Sequence, residues 1–323
     1  MAVVVRVGTC SWADELLTKY WYPSSERTAE ARLRYYADRF DTVEVNSTYY
    51  RLPALQMVER WAERTPPGFV MHVKAFALMT RHPVKAEALP PELREEAPVD
   101  ERGRVDRMPR PFRGEIFRHF REALEPLRAA GKLGGILLQF PPYFVYRDRS
   151  LEYLEWAQAQ LPGDEVLVEF RHASWLDEDN RAQTLSFLSQ RGLTYVTVDA
   201  PRTGARNVLP TVVAATTPTA YVRFHGRNAK TWNVRGGSAA ERFDYLYPRE
   251  ELQEWVEPLR ELTQEAESAY AMVNTNNRSS VSSPLGDEQI VVQGPANAEA
   301  LREVLAEAGV PVTQPAVGSA SGR

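Results

Sequence analysis

The sequence predicts one α/β domain over residues 1–310, a closed (β/α)8 TIM barrel with long βα loops, followed by a flexible tail at 311–323. Three observations carry that expectation. Eight short apolar, β-branched runs recur along the chain, most followed by a segment of helical periodicity, which is the alternation of a parallel sheet. In nearly every run the polar residues gather at the C-terminal end and on one parity, where a barrel of this kind opens its mouth. The first run leads into G-T-C-S-W, whereas a doubly wound open sheet, the rival architecture, would carry a glycine-rich phosphate loop there.

Taken in order, Val3–Gly8 is the first strand and Ala29–Arg39 the first helix, with Leu33, Tyr35, Tyr36 and Phe40 on its apolar side. Strand two is Thr42–Asn46, and a short helix at Ala54–Glu63 ends before Pro66-Pro67-Gly68. Strand three is Phe69–Lys74. Residues 80–113 form an insertion rich in Pro, Arg and Glu without clean periodicity, so a functional lid or a poorly ordered segment is expected there. A helix at Glu115–Ala130, strand four at Gly135–Phe140 and a helix at Ser150–Gln160 follow. Strand five opens V-L-V-E-F-R-H-A-S-W at Val166, and a helix over Glu178–Arg191 ends at Gly192, a residue suited to a C-cap. Strand six is Thr194–Asp199 and strand seven Ala220–His225. A loop from Gly226 to Tyr247 separates strand seven from a helix at Glu250–Glu265, strand eight at Ala269–Asn274 and a last helix at Ala296–Ala308. From Pro311 the chain is rich in Pro, Ser and Gly and reads as frayed.

Composition narrows the function classes. The 323 residues are 43% apolar and 25% charged with a net charge of −4, which gives no global case for nucleic acid or an anionic membrane. Cys10 is the single cysteine, so no disulfide forms within the chain and a reducing compartment is expected. No apolar run approaches the roughly 18 residues of a membrane helix, and the start M-A-V-V-V-R-V-G lacks a signal-peptide layout, so a cytoplasmic location is expected.

The strand ends hold the functional signal. Glu44 and Asn46, His72 and Lys74, Gln139, Glu169 and Arg171, Asp199, Arg223 and His225, and Asn274 all fall at C-terminal ends. Glu169, Arg171, Asp199, Arg223 and His225 are expected to converge on one cavity at the mouth. Glu44, Lys74, Glu169, Asp199 and His225 are the catalytic candidates, with carboxylates and imidazole as general acids or bases. Asn46, His72, Gln139, Arg171, His172, Arg223, Arg227, Asn228 and Asn274 are the substrate-binding candidates, because Arg offers a planar fork to phosphate or carboxylate. Lys74 could form a Schiff base, although an ion pair with Glu44 is the preferred reading. Three carboxylates and His225 could hold a divalent metal, but Lys74, Arg171 and Arg223 in the same layer oppose it, so no metal site is assigned. His172 is out of parity with Arg171 and belongs at the rim; His82 and His119 read as solvated; Cys10 reads as a buried thiol more than as a nucleophile. The alternative for the whole layer is a buried salt-bridge plug, with Glu44–Lys74 and Glu169–Arg171 pairs.

At these residues the chain resembles the YecE-like family, domain-of-unknown-function family 72. The segments that carry the likeness are V-G-T-C-S-W, V-E-V-N-S-T-Y-Y-R-L-P, W-x-x-R-T-P-P-G-F, L-L-Q-F-P-P, V-E-F-R-H-x-S-W, Y-V-R-F-H-G-R-N and D-Y-L-Y, spread over residues 6–275. The resemblance implies a TIM barrel and supplies no reaction. Cys10 stands where the family usually has G-T-S-G-W or near it, and the 80–113 insertion belongs only to some members.

The leading expectation is therefore an enzyme doing acid–base chemistry, hydrolysis or lysis, on a small anionic or phosphorylated substrate in the mouth. The alternatives are a metal-assisted phosphodiester or nucleic-acid enzyme, whose contact surface would be Arg227, Lys230, Trp232 and Arg235, and a non-catalytic ligand-binding barrel. If the charged layer serves a ligand, Glu169→Gln and Arg223→Ala should leave stability within about 1 kcal/mol; a plug would lose about 3–5 kcal/mol. The loop Gly226–Tyr247, with Gly226, Gly236 and Gly237, is expected to be either a lid ordered by anion binding or a static loop pinned by Trp232.

Overall fold

The structure, a computed structural model, describes residues 3–106, 108–232, 239–282 and 287–314. Its strands are β1 Val5–Thr9, β2 Thr42–Val45, β3 Val70–Lys74, β4 Leu133–Gln139, β5 Val166–Glu169, β6 Thr194–Asp199, β7 Thr219–Phe224 and β8 Ser268–Val273. They close in the order β1-β8-β7-β6-β5-β4-β3-β2, and every neighbouring pair is parallel. The major helices are α1 Ala29–Ala37, α2 Leu55–Glu63, α3 Arg110–Ala123, α4 Asp148–Ala159, α5 Arg181–Arg191, α6 Val256–Glu265 and α7 Gln293–Glu307. This is the expected TIM barrel, and each strand lies within two residues of its expected ends. Among the described residues no helix is long and apolar enough to cross a membrane.

Both faces of the strands are buried, and the two faces do different work. Outward residues such as Val43, Val168, Val222, Phe224 and Ala271 pack against the helices in the main core. Inward residues Leu137, Leu167, Val196, Val198, Tyr221 and Met272 fill the lumen. At the end of β5, Phe170 turns outward and stacks on Trp175 at 4.0 Å, whose indole N–H donates to the Phe144 carbonyl at 2.6 Å. That anchor sends Arg171, the next residue, into the lumen beside Glu169. Low in the barrel, Gly134 gives the His72 ring its place, since a Cβ there would stand 2.6 Å from the imidazole.

Four expectations change. The insertion is ordered among its described residues: Val84–Lys85 pairs antiparallel with Arg104–Val105, and Leu89, Leu93, Ala97, Val105 and Met108 are buried in the main core. Helix α3 starts at Arg110, five residues before the expected Glu115, because Pro109 caps it and Pro111 sits in the first turn, where its missing N–H costs nothing. An antiparallel pair, Arg278–Ser282 with Glu288–Val292, follows β8 where only loop was expected. The tail is held at its start: Val5 donates to the Pro311 carbonyl at 2.8 Å and accepts from Thr313 at 3.1 Å. Residues 315–323 of the expected tail lie outside the described residues.

Candidate functional site

The lumen's upper layer is centred on Arg223, which has no exposed area. Its Nη2 donates to Glu44 Oε1 at 2.5 Å and its Nη1 donates to Glu169 Oε2, so one guanidinium bridges β2, β5 and β7. Glu44 also accepts the Tyr221 hydroxyl at 2.9 Å, and Glu169 Oε1 lies 2.5 Å from Arg171 Nε. Burial opposes the charge on Glu169, but Arg171 and Arg223, with His225, outweigh it and hold the carboxyl well below its usual range. Such a carboxylate orients its neighbours and does not exchange a proton near neutral pH. The expected Glu169–Arg171 pair is present; the preferred Glu44–Lys74 pair is not, because Arg223 occupies Glu44.

His225 completes this layer. The Asn274 side-chain amide lies 2.9 Å from its Nδ1, and Asn46 Nδ2 donates to Asn274 Oδ1 at 3.2 Å. Its Nε2 faces the donor-only guanidinium of Arg171 at 3.0 Å and Glu169 Oε1 at 3.2 Å. Burial and then Arg171 push the imidazole well below its usual range, so it is neutral. Gln139 Oε1 joins the charged layer to Lys74, accepting its Nζ at 2.9 Å and lying 3.4 Å from both Arg171 Nη2 and Arg223 Nη1.

Above this layer the mouth holds a cavity of about 360 Å3, lined among others by Cys10, Trp12, Asn46, Tyr50, Lys74 and Asn274. Lys74 is its distinctive group. No described carboxylate lies within ion-pair distance of Nζ, which instead faces Gln139 and the Tyr49 ring at 4.5 Å. Burial, then the neighbouring Arg223, brings the amine down to about 7. Cys10 also reaches this cavity, but burial and then Glu44 raise its thiol well above the ordinary value, which leaves it protonated. Asp14 lines the same cavity and was not singled out from the sequence; its Oδ1 caps the Leu17 N–H at 2.9 Å, and burial raises its carboxyl.

Several sequence candidates lie elsewhere. Of the five residues expected to converge on one cavity, Glu169, Arg171, Arg223 and His225 cluster in the lumen but do not line the mouth cavity, while Asp199 faces the helices. Val198 pairs with Arg223 on the lumen side and Asp199 with outward Phe224. Asp199 accepts from Arg227 Nε at 3.0 Å and from the Tyr247 hydroxyl at 2.5 Å. His72 points into the lumen below the ionic layer, edge-on to Tyr221 and Tyr270, without a hydrogen bond; burial and then Arg6 push it to about 3. It is a neutral plug residue and not a ligand contact. His172 is at the rim, where its Nδ1 accepts from Ser174 N–H at 3.2 Å. His82 is half-buried and contacts Thr80 at 2.9 Å and the Tyr49 ring at 5.3 Å.

The loop after β7 covers this region. Trp232 lies 5.3 Å from the Arg171 guanidinium, and Phe243 stacks on His225 at 5.3 Å. Arg227 is spent within the fold, paired with Asp199 at 2.9 Å and Glu254 at 3.0 Å. Asn228 is also internal to the loop, donating to the Asp244 carbonyl at 3.2 Å. Arg235, Gly236 and Gly237 lie outside the described residues. No group of three or more His, Cys, Asp or Glu is placed to hold a metal ion among the described residues.

The sequence and the barrel match proteins already described. The family named "Protein of unknown function DUF72" matches residues 6–316. The UPF0759 protein YunF of Bacillus subtilis is 30% identical over 278 residues, 85% of this chain and 89% of YunF. The UPF0759 protein YecE of Escherichia coli K12 is 27% identical over 57% of this chain and 58% of YecE. A DUF72 structure from Thermotoga maritima, 30% identical, superposes over 94% of this chain and 98% of that one with a TM-score of 0.69. One from Enterococcus faecalis, 22% identical, covers 94% and 96% with a TM-score of 0.72. A match spanning β1 to the segment that staples it, together with the same barrel in these relatives, means that the chain belongs to the DUF72 family.

Proposed function

We propose that the mouth is the active site of an enzyme performing acid–base chemistry, hydrolysis or lysis, on a small anionic substrate, with Lys74 as the proton carrier. The observation that carries this reading is the state of Lys74: a cavity-lining amine, unpaired with any described carboxylate and brought down to about 7. An amine poised near neutral pH is populated in both protonation states, which is what a general acid or base requires. Charge balance supports an anionic ligand. Glu44 and Glu169 offset Arg223 and Arg171, His225 is neutral, and the Lys74 ammonium remains in surplus. Asn46 and Asn274 present amides in the same cavity and orient the substrate, while the buried ionic layer fixes the floor beneath them. Glu44, Glu169 and Arg223 serve as positioning residues in this reading, because none of them lines the cavity.

The test is a turnover screen of small carboxylate and phosphate esters and β-substituted acids with the protein and with Lys74→Gln. Turnover that falls by two or more orders of magnitude in the variant, with a wild-type pH profile inflecting near 7, is the expected result. Substrate binding without turnover would favour a non-catalytic barrel, and unchanged turnover in Lys74→Gln would sink the assignment.

A further inference from the structure

A second cavity, about 350 Å3, shares no lining residue with the mouth. It lies where the insertion meets α3 and α4, and its lining is Arg81, Met108, Arg110, Arg113, Arg149, Glu152 and Tyr153. Four guanidiniums face one carboxylate. None of the four forms an ion pair with another described residue, whereas Arg104, Arg118 and Arg128 all do. Arginines left together without counter-ions repel, so this arrangement costs stability unless something negative occupies the space between them.

Two further features point to a ligand. Arg113 is 6% exposed, and its Nε has no hydrogen-bond partner. A buried, unsatisfied guanidinium N–H is expensive, and an acceptor in the cavity would satisfy it. Tyr153 fixes the arrangement: the Arg81 and Arg113 guanidiniums each stand 5.3 Å from its ring, and its hydroxyl donates to the Met79 carbonyl at 2.6 Å. Arg81 holds the left-handed backbone (φ 66°), alone among described residues other than glycine, where it ends the short helix Ala77–Thr80 beside this cavity. Arg110 is the first residue of α3 and Arg149 the second of α4, so the positive ends of a 14-residue and a 12-residue helix flank the same space.

We infer that the insertion, α3 and α4 build a second anion site, separate from the mouth, that takes a phosphoryl group, whether inorganic phosphate or a phosphomonoester. Several guanidinium forks and two helix N-termini suit a tetrahedral dianion with many acceptor oxygens better than a single carboxylate. Buried Arg113 and half-buried Arg81 form the floor, and the exposed Arg110 and Arg149 form the rim.

Isothermal titration with inorganic phosphate, against chloride at matched ionic strength, tests the site in the full-length protein. Saturable phosphate binding is expected, weakened about tenfold or more in Arg110→Ala/Arg149→Ala, which removes two charge-assisted donors. Both residues are exposed, so the variant should fold; circular dichroism checks this. Lys74→Gln should retain that binding event, so a failure of the mouth assignment does not touch this one. A glucose phosphate should compete with phosphate, and acetate should not. No saturable binding beyond the chloride control, equal binding of acetate, or binding unchanged in the double variant would each overturn the inference.

Discussion

Arg223→Ala is the most informative single change. The side chain has no exposed area, and its two terminal nitrogens each donate to a carboxylate that is itself fully buried. Removing it leaves Glu169 with Arg171, but Glu44 keeps only neutral partners, the Tyr221 hydroxyl and the Cys10 thiol. Breaking a buried pair from one side costs about 3–5 kcal/mol, because the surviving charge is stranded in a dry interior. Against a total stability of about 5–15 kcal/mol, that is a large fraction. Adding Glu44→Gln removes the stranded charge while keeping an acceptor for Tyr221, so the double variant should recover about 1 kcal/mol or more of the loss. Urea denaturation followed by tryptophan fluorescence gives both numbers, with an unchanged slope confirming that only stability moved. An Arg223→Ala loss within about 1 kcal/mol, the value that a ligand-serving layer leads one to expect, would refute this reasoning.

Three other outcomes follow from the same geometry. Lys74 is lowered to about 7 in the fold against about 10.4 unfolded, so the unfolded chain binds more protons between those values and stability rises with pH across that window; Lys74→Met should be stabilising at pH 7 and lose that advantage by pH 10, and a flat difference in melting temperature would count against the shift. Gly134→Ala would bring a Cβ to 2.4 Å from Val70 and 2.6 Å from His72, so a loss of about 1–3 kcal/mol in chemical denaturation is expected, and a neutral result would show that the lower lumen is not packed as described. Trp232→Ala should speed tryptic cleavage at Lys230 several-fold while moving the global denaturation midpoint little, the signature of a cover that opens locally; a matched fall in global stability would mark the loop as part of the cooperative core.

The strands were legible because each is a short apolar run buried on both faces, and β6 was read with its observed ends, Thr194–Asp199. The same burial hid which parity faces the lumen. Asp199 looked like a mouth residue because it ends a strand, yet Arg227 and Tyr247 satisfy it on the helix side, and neither contact is encoded near it in sequence. Glu44 and Lys74 sit on adjacent strands, which made their pairing the natural expectation; the actual partner, Arg223, is 179 residues from Glu44. The insertion hid its order for a different reason: its buried residues, Leu89, Leu93, Ala97 and Val105, are interrupted by Pro90, Pro91 and Pro98 and belong to several short turns and not to one helix. Four arginines scattered from Arg81 to Arg149 gave no motif, and only folding gathers them around Tyr153.

The bridging role of Arg223 also bears on how the chain matures as it is synthesised. Glu44 leaves the ribosome 179 residues before its counter-ion, and Glu169 leaves 54 residues before it. A nascent chain that has completed β1–β6 therefore holds a lumen in which Glu44 has no described cation, and burying it there is unfavourable. Synthesis adds roughly 5–20 residues per second, so this interval lasts seconds. Early closure of a partial barrel is disfavoured by its own charge, and β7, which brings the missing cation, releases that restraint only when one strand remains to complete the ring.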